Sequence, residues 1–401
     1  MKRSLILLLN TLFYIQLCAQ HNTSSPYSMF GVGEIETGTY GMNSGMAGSG
    51  IGLYVPGFLN IANPAAIAID SLSFIFDVST SAKISRFSLG EGREKATSAN
   101  LKKIAMGFRT IPKLSLSLGL MPYSSVEYKL RTGEIVEGTN QQYDMLYEGN
   151  GGFTQIYLGG SYKLYPKWSL GVKAAYLFGT INDIQGSWTQ SRTITSTGYK
   201  FVMDFGIIYN DRLNERTNLT IGATYGYKSQ IKLNSTRTVS INNVPEIIPS
   251  LHVYIPQSIA LGASLQKIRG RSHLIFAADY KFTDWGATPS PNKKVYYSAN
   301  HRLNAGVQIT PNYRTPRNYF QRMAYQAGGF YERSHLKIGG NNLIETGLSL
   351  GMIFPLGRRT VLFLSADLAH RGGTMMINEN YLRLNLGVSL NEAWFIKWAY
   401  D

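Results

Sequence analysis

From residue 71 onward the chain consists largely of runs in which apolar residues alternate with small or polar ones. This period of two constrains the fold more than any other feature, because it marks a strand with two unlike faces. In LSLSLGL, Leu114, Leu116, Leu118 and Leu120 share one side, and Ser115, Ser117 and Gly119 the other. In LRLNLGVSL, Leu382, Leu384, Leu386, Val388 and Leu390 stand opposite Arg383, Asn385, Gly387 and Ser389. About fourteen such runs can be placed between 72–86 and 378–390. A soluble sandwich turns the apolar face inward, whereas a membrane barrel turns it to lipid and keeps a polar lumen.

Three features separate these two folds. Many runs reach the roughly nine to eleven residues that a tilted strand needs to cross a bilayer, while globular strands are nearer five or six. The connections alternate in kind. RTIPK, YPK, NDRLNER, KIRGRS and PLGRR are short and basic, and the connections at 130–152, 234–256 and 284–300 read as longer polar loops. Short turns at one end, long loops at the other and an even strand count form the outer-membrane pattern, with the short turns periplasmic. Aromatic residues near run ends, including Tyr123, Tyr165, Trp168, Trp285, Tyr313, Trp394 and Trp398, suit interfacial girdles. The predicted fold is all-β, a transmembrane antiparallel β-barrel of about fourteen strands over 71–401.

The first residues, MKRSLILLLNTLFYIQL, put Lys2 and Arg3 before an apolar block too short to span a bilayer, so 1–19 reads as a signal peptide cut after Ala19. Cys18 is the sole cysteine, and Leu17 before it is a poor match to a lipidation site, so the exported chain has no disulfide to rely on. No later segment offers a run of about eighteen apolar residues. These signals predict the outer membrane of a Gram-negative bacterium, with outer-membrane lipid as the surrounding partner.

The formal charge of +15 falls by two once Lys2 and Arg3 are removed. No Lys/Arg block lies on a helix, and the basic residues fall mostly in the short turns, so with export the charge does not imply nucleic acid. The six histidines have no metal-ligand spacing, no G-x-S-x-G elbow occurs, and GSGIG at 48–52 neither follows a strand nor precedes a lysine. The expectation is a non-enzyme with no cofactor or metal. Alternation sends Lys173, Asp204, Asp279, Lys281, Glu345, Asp367 and Arg383 into the lumen, where charges of both signs would pair.

Residues 26–64 contain many glycines and no sustained period, yet Met29, Phe30, Met42, Met46, Leu53, Tyr54, Phe58 and Leu59 are too many for a plain spacer. Such a segment can order if walls surround it. In NPAAIAID, Asn63 can cap a short helical turn with Pro64 at its first position, and Asp70 and Ser71 end the turn before the first strand.

A Gly-rich N-terminal region ending in Asn63, Pro64 and Ala65, preceded by SGMAGSGIGL and followed by about fourteen strands, resembles the FadL-type outer-membrane transporters of hydrophobic compounds. The resemblance implies that 20–70 is a hatch in the lumen, that Phe30, Phe58 and Leu59 are hatch contacts for a hydrophobic small molecule or lipid, and that a greasy pocket lies near the extracellular side. It also implies exit through the lumen or sideways through a gap in the wall. Two departures stand out. The chain ends WFIKWAYD, with Asp401 after Tyr400, and the periplasmic connection at 310–323 carries Arg314, Arg317 and Arg322 among Tyr313, Tyr319 and Phe320. That connection reads as a docking surface for other outer-membrane or periplasmic proteins. The leading expectation is passive transport of small hydrophobic molecules. The alternative is a non-transporting accessory barrel of an outer-membrane protein secretion or assembly complex.

Overall fold

In the computed structural model, which describes residues 25–36, 40–67, 73–135, 142–187, 190–241, 244–286, 288–289, 294–357 and 360–393, the alternating runs form the wall of a closed barrel. The wall segments are β2 (Ser73–Leu89), β3 (Gly92–Ile111), β4 (Leu114–Ile135), β5 (Gln142–Tyr165), β6 (Trp168–Gly186), β7 (Ser191–Asn214), β8 (Thr217–Gly226), β9 (Ser229–Val239), β10 (Glu246–Ile255), β11 (Gln257–Arg269), β12 (Ser272–Asp284), β13 (Val295–Tyr297), β14 (Asn300–Thr310), β15 (Ala324–Ile338), β16 (Asn341–Pro355), β17 (Val361–Gly372) and β18 (Asn378–Ala393). The pairs β8/β9, β10/β11 and β13/β14 are interrupted single strands, which gives fourteen antiparallel wall strands. The ring closes between β18 and β2, in register from Asn378↔Ser88 to Ala393↔Ser73. Closure pairs the first and last wall strands, whose edges would otherwise face lipid.

The side-chain pattern follows the alternation. On β16, Leu348, Leu350 and Met352 are exposed on the outer face, while Ser349, Gly351 and Ile353 are buried inside. Loop length departs from expectation. Much of 130–152 and 234–256 is strand, because β4 and β5 stay paired from Val126↔Gly151 to Ile135↔Gln142, and β9 pairs with β10 up to Arg237↔Glu246. The apolar period fades there although the ladder continues, because polar and glycine residues crowd 131–134 and 148–152 and a register shift between Ile248 and Leu251 breaks the alternation of β10. The longest described connection between wall strands lies at the end where β2 begins and β18 ends, and is 311–323. Ile67 is the last described residue before the wall, so Asp70 and Ser71 lie outside the described residues, as do 1–24 and the C-terminal Trp394, Trp398 and Tyr400.

The ladder is broken at two places in the wall. Pairing of β3 with β4 stops at Ile104↔Leu120, just before Pro122, which has no N–H to give a neighbour. Above that point β3 pairs only with β2 among the wall strands. The second break lies between β7 and β8/β9. Register ends at Asp204↔Gly226 and resumes at Gly198↔Leu233, leaving residues 199–202 without a ladder partner on that side. It lies level with Pro256, which separates β10 from β11.

An apolar outer wall of this kind needs lipid or detergent. Size-exclusion chromatography of the processed chain is expected to give one narrow peak only with detergent, and a monodisperse peak in detergent-free buffer would contradict the lipid-facing wall.

Candidate functional site

The barrel interior holds the described part of the N-terminal segment. Its short strand β1 (Glu34–Ile35) pairs with β4 through Glu34↔Ser125 and Ile35↔Ser124, and Glu36 N–H donates to the Tyr123 carbonyl at 2.9 Å. It therefore supplies part of what β3 leaves unpaired. A bulge at Lys102, between Lys103↔Ser79 and Leu101↔Thr80, turns two successive lysines inward. Lys103 pairs with Asp77 at 2.7 Å, and Lys102 pairs with Glu36, which also accepts from the Tyr40 hydroxyl. The wall gap is thus bridged from β4 to β3 by Glu34, Ile35 and Glu36.

A second anchor crosses the lumen. Arg371 is shared by Glu34, Glu345 and Glu379, and Glu379 further contacts Lys83 at 2.7 Å and accepts from Ser25 Oγ at 3.0 Å. Burial alone would raise the Glu34 carboxyl, but the Arg371 and Lys83 charges outweigh it and hold it below the usual carboxylate range. Tyr27 packs with Val295, Leu336, Leu343 and Met376, with Phe30 at the edge of the cluster.

Residues 40–67 lie deeper. Asn63 is fully buried, and its Oδ1 accepts from Ala65 N–H at 3.0 Å while its Nδ2 donates to the carbonyls of Ile51 at 2.8 Å and Ile207 at 3.2 Å. Pro64 opens the one-turn 3-10 helix Pro64–Ala66, as the N-cap chemistry predicts. Phe58 is buried with Met46, Leu53 and Ile275, and Leu59 with Ile67, Ile75, Met121 and Tyr157. Both rings and chains are occupied by wall contacts rather than turned to free space.

Sequence reasoning missed how the wall receives this segment. A Cβ at Gly171, Gly206, Gly222, Gly262, Gly306 or Gly328 would overlap Ala65, Asn63, Ile51, Gly52 or Met46. These lumen-facing glycines on six wall segments let a second backbone lie directly on the barrel's inner surface. Wall side chains then satisfy its polar groups. Asp279 Oδ2 accepts from Gly50 N–H at 2.6 Å and Ile51 N–H at 2.9 Å, while Ser264 Oγ donates to the Gly52 carbonyl at 2.7 Å and Ser161 Oγ to that of Ala65 at 2.9 Å. The glycine signal was present in the sequence, at alternate positions of the polar faces.

The remaining predicted lumen charges also face inward. Lys173 pairs with Asp204 at 2.7 Å, Asp367 accepts from Ser349 Oγ and Asn385 Nδ2, and the Arg383 guanidinium lies 5.1 Å from the Tyr381 ring centre. Lys281 lines a cavity of about 310 Å³ and has no ion-pair partner among the described residues. The cavity wall includes Glu34, Glu36, Asp204, Arg302, Glu332 and Arg383, so this space is charged rather than greasy. The expectation of an apolar pocket fails here because the polar face of every strand is what a lipid-facing barrel leaves for its interior. The cavity meets the second wall break at Val202, Tyr225, Gly226 and Tyr227.

At the short-turn end, the 311–323 connection is braced internally. Buried Asn312 donates through Nδ2 to the Thr315 carbonyl at 2.6 Å and accepts at Oδ1 from Thr315 N–H at 3.1 Å, and Gln321 Oε1 accepts from Arg317 N–H at 2.9 Å. This frame holds residues 313–320 exposed, including Arg314, Arg317, Tyr319 and Phe320, and Arg322 is exposed beyond them.

A model of the BamG family matches residues 1–401. The chain belongs to the BamG family. Its fold is FadL-like, while the family is not the FadL-type transporters that the sequence resembled. The Pseudomonas putida toluene transporter TodX superposes with a TM-score of 0.59 at 14% identity, covering 89% of this chain and 99% of that one. The Ralstonia pickettii toluene transporter TbuX gives 0.59 at 13% identity over 88% and 97%, and a Pseudomonas aeruginosa FadL homologue gives 0.57 at 12% identity over 88% and 98%. A search of curated protein sequences gave no match. At these identities the BamG chain and the channels share a fold.

Removing the shared cation should loosen the N-terminal segment. Arg371→Ala leaves Glu34 and Glu345 without their cation and Glu379 with Lys83 alone, at a cost of about 3–5 kcal/mol, and is expected to speed tryptic cleavage before residue 67 and lower the temperature of heat-modified gel migration. Unchanged cleavage and migration would show that the cluster does not hold the segment.

Proposed function

We propose that this BamG-family chain is a non-conducting accessory barrel of an outer-membrane protein secretion or assembly complex. What carries this reading is that residues 34–36 bridge the wall gap between β3 and β4 and residues 45–65 pack on the lumen-facing glycines, along the two routes that a hydrophobic ligand would take. That segment is tied at Glu34–Arg371 and Glu36–Lys102, and buried ion pairs released singly are costly. Phe58 and Leu59 are committed to the wall, and charges line the remaining cavity. On this reading residues 20–70 act as a plug, 1–19 direct export to the outer membrane, and the lumen charges are structural.

The BamG family match is in keeping with a role beside protein partners. The partner surface would be the braced connection with Arg314, Arg317, Tyr319, Phe320 and Arg322. Exposed arginines and aromatic rings on a rigid frame have the composition of protein-binding hot spots.

A second reading, passive passage of a small hydrophobic molecule, draws on the break at residues 199–202, where the cavity meets exposed Tyr225 and Tyr227 at the wall. Planar-bilayer recording and liposome uptake separate the two. The intact chain is expected to be silent and to leave monoaromatic hydrocarbon uptake unchanged, while deletion of 26–65 is expected to raise conductance. Accelerated uptake by the intact chain would replace the accessory reading with the transport reading, and unchanged conductance on deletion would mean that the segment does not occlude the lumen.

A further inference from the structure

The excess positive charge has a location. The short turns at the end where β2 begins carry Lys113, Lys167, Arg216 and Arg271, against one acid, Glu215. The 311–323 connection adds three arginines and no acid. At the opposite end, the β2–β3 turn contains Glu91, and the strands beside it mix Arg93, Glu94 and Lys95.

Position separates these turn cations from an ordinary solvated surface. Exposed apolar side chains stand within three residues of the turns, namely Ile111 before Lys113, Leu164 and Leu170 around Lys167, and Leu213 before Arg216. Trp168 packs against Tyr209 with the rings tilted and 4.9 Å between their centres beside the same turns, as in an interfacial girdle. The turns therefore sit where hydrocarbon gives way to phosphate. Among the described residues only Lys167 of the four is ion-paired, with Asp211 at 2.9 Å, and that pair is exposed. The cations occur on turns spread from β3 to β12, around much of the circumference, where a single docked protein would cover one sector.

We infer that this rim binds anionic phospholipid headgroups of the inner leaflet of the outer membrane. Each ammonium or guanidinium group at that depth meets a phosphodiester, and a ring of them favours lipids with net negative charge over zwitterionic ones. The inference concerns the bilayer around the barrel and stands whether or not the chain works with a protein partner.

The test uses the full purified chain in vesicles of phosphatidylcholine mixed with phosphatidylglycerol, with lipids retained after mild detergent extraction identified by mass spectrometry. At low salt, phosphatidylglycerol is expected to be enriched about threefold over the bulk mixture, and the enrichment should shrink at high salt. The combined variant Lys113→Gln, Arg216→Gln, Arg271→Gln, Arg314→Gln should lose most of it. A second variant, Arg93→Gln, Lys95→Gln, Lys129→Gln, Arg237→Gln, removes as many cations from the opposite end and should keep it. Retained lipid of bulk composition in the unmodified chain, which needs no variant to fold, overturns the inference. So does equal loss of enrichment in the two variants.

Discussion

Every wall backbone amide at the depth of the hydrocarbon has to find a partner without help from water, because lipid offers none. Closing the ring between β18 and β2 meets that demand for nearly the whole circumference. Where the ladder fails beside Pro122, the demand does not vanish, and the N-terminal strand Glu34–Ile35 takes up part of it. The wall and the segment inside it are therefore one hydrogen-bonded object. The same closure fixes the electrostatics, since outward apolar faces leave the polar ones to the lumen.

A polar lumen must be either wet or filled, and here the described N-terminal residues lie along its wall beside a cavity of about 310 Å³. The filling has two levels. Around Arg371 and Lys102, charge holds residues 25–36 against the wall, and lower down the glycines let residues 45–65 touch it backbone to backbone. Neither level resembles an apolar conduit. A FadL-like fold is thus combined with N-terminal apolar side chains, Phe58 and Leu59 among them, that pack in buried clusters against the wall.

Much of this was legible in the sequence, because a lipid-facing strand must alternate and alternation can be counted. All fourteen runs became wall strands, and Lys173, Asp204, Asp279, Glu345 and Asp367 face inward as their parity required. The strand extensions at 130–152 and 234–256 were hidden because polar and glycine residues interrupt the first and a register shift between Ile248 and Leu251 breaks the alternation of the second. Lys102 was hidden because a bulge breaks parity at that residue. Arg371 shares the odd parity of Asp367 and could have been found, but its carboxylate partners Glu34 and Glu379 lie hundreds of residues and one strand away, respectively, and period gives no pairing.

The Glu34–Arg371 contact also sets a timetable. Its two members are separated by 337 positions, so it cannot exist until almost the entire polypeptide has been made. Before then, Glu34 and Glu345 have no Arg371 between them, and an early-synthesised strand has only one neighbour to lean on. Such distant contacts make for slow, late locking. The molecule's last tightening step thus joins nearly its two extremes, and any factor that shepherds the unfinished ring must keep that interior place free until then.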